Sequence, residues 1–341
     1  VNLHPILRAL LWPLSIVFEA VVRLRAFFYR AGIFRQKRLK GVVISVGNLT
    51  VGGTGKTPMV MWLAERAASM GHCVGVLTRG YRGQADSGAE NAVSDEVWVM
   101  RRRLGEKIRL GAGADRVASG LRLEKDGVDW FVLDDGFQHL RLARDADIVL
   151  VDATDPFGGG WLLPAGRLRE PQSALVRADV IVFTRGDSAP ELEQELRRWT
   201  AAPIYYARVE LNGIFHAAPH EINAELGEWQ KRSFFAFCGI GNGKAFFSDL
   251  TRWGIRTVEQ LAFPDHHVFQ AADAQDIEGR AKASGAEALI CTEKDVFNFR
   301  HLREWSLPVY YCQIRQEVTD AEGFWKTILG IVERKRQGSR R

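Results

Sequence analysis

Apolar positions along the chain follow two alternating rhythms. Short, mostly apolar runs at 42–46, 74–78, 129–133, 147–151, 180–183, 234–238, 287–292 and 309–312 have the length and character of buried strands. Between several of them, apolar residues recur at steps of three and four, at 58–70, 97–104, 243–253 and 270–283, which predicts helices with one buried face. Strand and helix alternate from 41 to about 205, the pattern of a parallel, doubly wound α/β sheet. At 205–215, Asn212-Gly213 between apolar stretches predicts the turn of a β-hairpin, within a linker over 205–225. A second, smaller α/β lobe is expected over 226–330, followed by a basic tail at 331–341.

The first forty residues have a different character. Leu3, Ile6, Leu7, Leu10, Leu11, Leu14, Val17, Phe18, Val21, Leu24 and Phe28 form a helical stripe, with Trp12 and Phe27 beside it. The net charge of +5 is concentrated at the ends. Residues 1–40 hold eight Lys/Arg against Glu19, and residues 331–341 hold five against Glu333, so the body between them is acidic. No basic nucleic-acid-binding face is expected on that body. The apolar stretch at 9–22 is broken by Pro13 and Glu19 and is shorter than the roughly 20 residues a bilayer span needs. No small-residue cleavage site follows it, so a signal peptide is a poor reading. An amphipathic helix with a cationic flank suits an anionic membrane surface, and equally a helix packed on its own core. Hydrophobic content of 46% and charge of 26% are those of a globular chain, and four scattered cysteines without a CxxC pair argue against a disulfide framework or a structural zinc site.

Chemistry enters after the first strand. Gly47-Asn48-Leu49-Thr50-Val51-Gly52-Gly53-Thr54-Gly55-Lys56-Thr57 leads into a helix, the strand–loop–helix context of a phosphate-binding P-loop. Thr50, Val51, Gly52, Gly53, Thr54 and Gly55 supply backbone N–H groups around phosphate oxygens, Lys56 reaches the β/γ-phosphates, and the Thr57 hydroxyl suits Mg²⁺. The position of the motif's first glycine holds Thr50. A metal partner is expected at the end of a neighbouring strand, where Asp134 and Asp135 open Asp134-Asp135-Gly136-Phe137-Gln138-His139. The long 152–172 loop carries Arg167, Arg169 and Glu170, and Arg79 ends another strand; arginines there suit anionic oxygens. Thr184-Arg185-Gly186-Asp187 lies where guanine-reading P-loop proteins carry Asn-Lys-x-Asp, but both leading residues differ, so guanine reading is not expected.

These motifs, with Arg79-Gly80-Tyr81, Asp95-Glu96, 163–171 (LPAGRLREP), Phe263-Pro264-Asp265-His266-His267 and Thr292-Glu293-Lys294-Asp295, occur in one order that closely resembles the tetraacyldisaccharide 4'-kinases of lipid A biosynthesis. The resemblance implies a two-lobed P-loop kinase that uses ATP and Mg²⁺ to phosphorylate the 4'-hydroxyl of an acylated disaccharide 1-phosphate glycolipid. It also implies peripheral attachment to the cytoplasmic face of the inner membrane through the N-terminal helix, with no obligate protein partner. Asp95 takes the role of base with His266 as its partner. Asn48, Arg79, Gln138, His139, Arg167, Arg169 and Glu170 go to the substrate side. The two-lobe expectation places Asp95 and His266 in different lobes. Three departures touch loops, not charged groups: Ser94 and Val97 around Asp95-Glu96, Gly243, and Gly159. Thr292-Glu293-Lys294-Asp295 ends a strand without an assigned task. On residues alone, two rivals share the P-loop: a membrane-associated ATPase switch, and a soluble small-molecule kinase or ligase.

Overall fold

The computed structural model describes residues 5–80, 94–217, 229–302 and 305–338. Leu3 of the apolar stripe, Tyr81, residues 218–225 of the expected linker, and Arg340 and Arg341 lie outside the described residues.

In chain order the elements are α1 (Pro5–Arg30), β1 (Val42–Asn48), α2 (Lys56–Ser69), β2 (Val74–Thr78), α3 (Asp95–Leu104), β3 (Ile108–Ala112), α4 (Arg116–Lys125), β4 (Trp130–Asp134), β5 (Ala146–Asp152), β6 (Val180–Thr184), α5 (Pro190–Leu196), β7 (Ile204–His216), β8 (Phe234–Cys238), α6 (Gly243–Arg252), β9 (Thr257–Ala262), α7 (Ala271–Ala283), β10 (Ala288–Thr292), α8 (Glu293–Phe299), β11 (Val309–Val318) and α9 (Ala321–Gly338). The chain divides into two compact units. The first comprises residues 1–93, 103–209 and 316–341, and the second 94–102 and 210–315.

In the first unit the strands lie in the order β3-β2-β4-β1-β5-β6-β7, with every described pairing among them parallel. The apolar runs follow from this arrangement, since a strand covered by helices on both faces has no side to give to water. β2, β4, β5 and β6 are buried along their whole length. The register Val46↔Asp134 carries the end of β4 alongside the strand that feeds the glycine loop. Sheet geometry thereby sets Asp134 beside the loop, where ligands of open α/β sheets bind.

In the second unit β11, β10, β8 and β9 pair in parallel around an aromatic core that includes Phe235, Phe237, Phe269 and Tyr311. Two expectations change here. The segment around Asn212-Gly213 is not a hairpin: β7 runs unbroken through it. Gly213 is not among the positive-φ glycines that a type I′ turn requires, and the Asn212 amide donates to Gln313 Oε1 at 2.7 Å instead of turning the chain. The start of α3, expected with the first lobe, belongs to the second unit, because Trp98 packs on Phe297 and the Arg102 guanidinium lies over Trp98 and Tyr311.

The basic end is not a free tail. Through residue 338 it is the last part of α9, a first-unit element, with Ile331 and Val332 buried. Lys335 pairs with Asp179 at 2.5 Å, and Arg336 donates to the Lys40 carbonyl at 3.0 Å. At the other end of the chain, α1 turns Leu11, Ser15, Phe18, Val22 and Ala26 inward. The Ser15 hydroxyl donates to the Leu162 carbonyl at 3.0 Å and accepts from the Ala165 N–H at 3.1 Å. Ile6, Leu10, Leu14, Val17, Val21 and Leu24 form an exposed stripe on the same helix.

Candidate active site

β1 ends at Asn48 and the chain turns through the glycine loop into α2. Gly55 precedes the helix at φ 82°, a left-handed conformation that costs a residue with a Cβ about 1–2 kcal/mol. No side chain caps α2, so its first N–H groups are left to the loop's ligand. The loop is braced from outside by its neighbours. Thr184 Oγ1 donates to the Thr54 carbonyl at 3.2 Å, and Arg185 Nη2 to the Gly53 carbonyl at 2.9 Å. Arg167 Nε and Nη2 both donate to the Val51 carbonyl at 3.1 Å. Arg185 also pairs with Asp152, so the residue at the guanine-reading position is turned onto the loop backbone.

Lys56 lies between two acceptors, Asn48 Oδ1 at 3.1 Å and Asp135 Oδ1 at 3.6 Å. Arg169 grips Asp135 with two bonds of 2.7 and 2.9 Å and also donates to Asn48. Burial works to raise the Asp135 carboxyl, but Arg169, Lys56 and Arg116 outweigh it and hold it at about 2. Asp134, 3% exposed, accepts from Thr78 Oγ1 at 3.4 Å, and Thr57 is buried at the first turn of α2. Gln138 Nε2 donates to the Asn48 carbonyl at 3.0 Å. Glu170, expected on the substrate side, is buried and pairs with Arg177 through both oxygens at 2.8 and 2.9 Å, which fixes the loop from within. Arg79 is exposed at the end of β2.

Arg116 was not signalled by any motif. It opens α4, 7% exposed, 3.4 Å from both the Asp134 carbonyl and His139 Nδ1. Burial, aided by Arg79 and Arg169, lowers its pKa. Burial and the charges of Arg116, Arg144, Arg25 and Arg141 push His139 down to about 4, so its imidazole is neutral at pH 7. A cationic wall of this kind suits an anionic ligand.

In the second unit, Asp95 opens α3 with only 4% exposure. Its Oδ2 meets His266 Nδ1 at 2.9 Å, and its Oδ1 accepts the Glu96 N–H at 2.8 Å. Burial alone would raise the Asp95 carboxyl, but the His266 hydrogen bond and the Lys294 charge outweigh it and hold it below the ordinary value. The hydrogen bond to Asp95 raises His266 against the effect of burial. The two groups are therefore an ion pair over the mid-pH range, within one unit and not divided between lobes as expected. His266, with φ 57°, is one of three described non-glycine residues in left-handed backbone; the others are Asp135 and Arg185, both at the phosphate loop. Such strain collects where the surroundings over-determine a functional side chain.

The family model described as LpxK, tetraacyldisaccharide-1-P 4'-kinase, matches residues 7–333. The tetraacyldisaccharide 4'-kinase of Geobacter metallireducens is 42% identical over 302 residues, covering 84% of this chain and 87% of that protein. That of Pelobacter propionicus is 39% identical over 305 residues, covering 85% and 82%. Among solved structures, the "apo" form of LpxK from Aquifex aeolicus in complex with ATP aligns with a TM-score of 0.73 at 30% identity, covering 96% of this chain and 99% of that one. With the glycine loop, the paired aspartates and the Asp95–His266 pair in one chain, these likenesses show that it belongs to the tetraacyldisaccharide-1-P 4'-kinase family, the enzymes that phosphorylate the 4'-position of tetraacyldisaccharide 1-phosphate in lipid A biosynthesis.

Proposed function

We propose that this chain binds ATP at the 50–57 loop and moves its γ-phosphoryl group to the 4'-hydroxyl with Asp95 as general base. The observation that carries the base assignment is the 2.9 Å Asp95–His266 contact. His266 holds one carboxylate oxygen, fixes its orientation and supplies positive charge as the acid forms. The 4'-oxygen attacks the γ-phosphorus, the bond from that phosphorus to the β–γ bridging oxygen breaks, ADP leaves, and the hydroxyl proton passes to the Asp95 carboxylate. Little covalent work falls to the protein in such a transfer; positioning and charge neutralisation dominate. Lys56 meets the charge on the β- and γ-phosphates, and its contact with Asn48 orients its amine before nucleotide arrives.

The donor chemistry at the loop fits Mg²⁺, which takes oxygen ligands and keeps several waters. Thr57, Asp134 and Asp135 would hold it, with Arg169 and Lys56 orienting the Asp135 carboxylate. When bound, the ion neutralises phosphate charge. Arg79, Arg116, Gln138, His139 and Arg169 form the side that receives the anionic sugar, while Arg167 acts on the loop through Val51 and Asp155.

The exposed stripe of α1, with Arg23, Arg25 and Arg30 near its end, supports peripheral seating on an anionic membrane, where the acylated substrate resides. No described helix is long and apolar enough to cross a membrane. Lys56→Ala tests the nucleotide assignment. Transfer from γ-labelled ATP should fall about 10²–10³-fold, with weaker ATP binding. Wild-type turnover in that variant would refute the loop's role.

A further inference from the structure

Thr292-Glu293-Lys294-Asp295 has no part in the mechanism above, yet two of its side chains lead to the catalytic pair from opposite sides. Asp295, 0% exposed in the first turn of α8, accepts from Thr292 Oγ1 at 2.6 Å and from the Thr292 N–H at 3.0 Å through Oδ2. The bond from the Thr292 N–H and the Asp295 N–H donated to Thr292 Oγ1 at 3.4 Å form a capping box, and Oδ2 suffices for the carboxylate's part in it. Oδ1 turns the other way and accepts the Gly239 N–H at 2.8 Å. The Gly239 carbonyl in turn accepts the His266 N–H at 3.0 Å. A Cβ at Gly239 would lie 2.9 Å from the His267 Cβ, so only glycine lets this strand end approach so closely. His267 is itself tied to Asp273 at 2.9 Å. The strained backbone of His266 is thus fixed by a bonded path that begins at Asp295.

The neighbouring side chain addresses the other partner. Lys294 Nζ meets Glu96 Oε1 at 2.8 Å, and Glu96 follows Asp95, whose carboxylate accepts the Glu96 N–H. One helical turn therefore anchors the histidine through its backbone and the aspartate through the first turn of α3.

We infer that Asp295 and Lys294 are positioning residues for this kinase: Asp295 fixes His266 through Gly239, and Lys294 fixes Asp95 through Glu96. The inference rests on the reading of Asp95 as base. Burial raises the Asp295 carboxyl to about 6, so a charge that is costly to keep is retained beside the site. The charged groups facing the pair are Asp265 and Lys294 at His266, and Lys294 and Glu96 at Asp95; Asp295 adds its own field to Asp95.

The test uses the full chain with ATP and tetraacyldisaccharide 1-phosphate, and histidine side-chain NMR with the His266 signal assigned by His266→Gln. Asp295→Asn replaces one acceptor oxygen with an NH₂ group that cannot accept. It should lower kcat about tenfold, leave KM for ATP within about twofold, and move the His266 titration midpoint down toward its ordinary value. Lys294→Met should move the acid limb of the kcat profile to higher pH, because Asp95 loses the charge that lowers its pKa; Lys294→Arg should restore it. An unmoved His266 midpoint in Asp295→Asn, or an unmoved acid limb in Lys294→Met, would overturn the corresponding assignment. If Asp295→Asn does not fold, Asp295→Glu, which keeps the charge but displaces the acceptor oxygens by one methylene, takes its place with the same His266 readout. Full turnover in Asp95→Asn would overturn the base reading instead, leaving any coupling of Asp295 to the His266 titration as measured.

Discussion

Single residues differ in how openly the sequence displays them. Lys56 and Thr57 were legible because phosphate binding packs its chemistry into consecutive positions. Asp95 and His266 lie 171 positions apart, and only the ordered motif set joined them. Arg116 carries no signature, and Lys294 stood in a motif without a task, since a buried arginine and an ion pair are defined by what folding brings near. The Asp95–His266 pair also has a pH signature. The Asp95 carboxyl is lowered, so its contribution to stability is full above its unfolded value and lost as pH falls through the folded one. His266 is raised, so its contribution is full below its unfolded value and lost as pH rises through the folded one. The stability gap between wild type and Asp95→Asn should therefore be greatest between about pH 4 and about pH 6.5, measured by urea unfolding across the range. A gap independent of pH would contradict the ion pair.

At the level of elements, buried strands announced themselves because both faces of a parallel sheet demand apolar residues. β9 alternates exposed and half-buried positions, and its Thr257-Val258-Glu259-Gln260 start gave no apolar run to detect. β7 was misread for a local reason: Asn-Gly favours a turn only when the backbone adopts positive φ, and a neighbouring strand held this one extended. The two terminal helices differ in what they cover: α1 leaves an apolar stripe exposed, whereas α9 buries Ile331 and Val332. Leu10→Glu with Val17→Glu in α1 alters exposed side chains, so stability should change by less than about 1 kcal/mol. Sedimentation with anionic vesicles should fall sharply, by about tenfold in affinity or more, and unchanged sedimentation would refute the seating of α1. Truncation after residue 330 removes buried Ile331 and Val332, the Arg336 partner of Asp145 and the Lys335 partner of Asp179. It should cost about 3–6 kcal/mol in unfolding while the protein that remains folded keeps its vesicle binding.

Taken as one molecule, the chain carries its net charge of +5 unevenly, and the unevenness has two causes. The cations near the carboxyl end fold back onto carboxylates: Arg336 meets buried Asp145, which Arg38 also reaches from the amino-terminal end, and Lys335 meets half-buried Asp179. Those following the apolar stripe of α1 are exposed, and under the proposed seating they are, apart from Arg38, the ones that would meet lipid headgroups. Composition could not separate these roles, because a charge count does not say which side chains fold back onto carboxylates. Family membership sets aside the ATPase switch and the small-molecule kinase or ligase and leaves the division of labour among residues to be measured. The most direct measurement is kcat for transfer from γ-labelled ATP to tetraacyldisaccharide 1-phosphate by Asp95→Asn, beside its ATP dissociation constant. The account predicts a fall in kcat of about 10²–10⁴-fold with ATP affinity within about twofold of wild type. Undiminished kcat with ATP binding intact would contradict it.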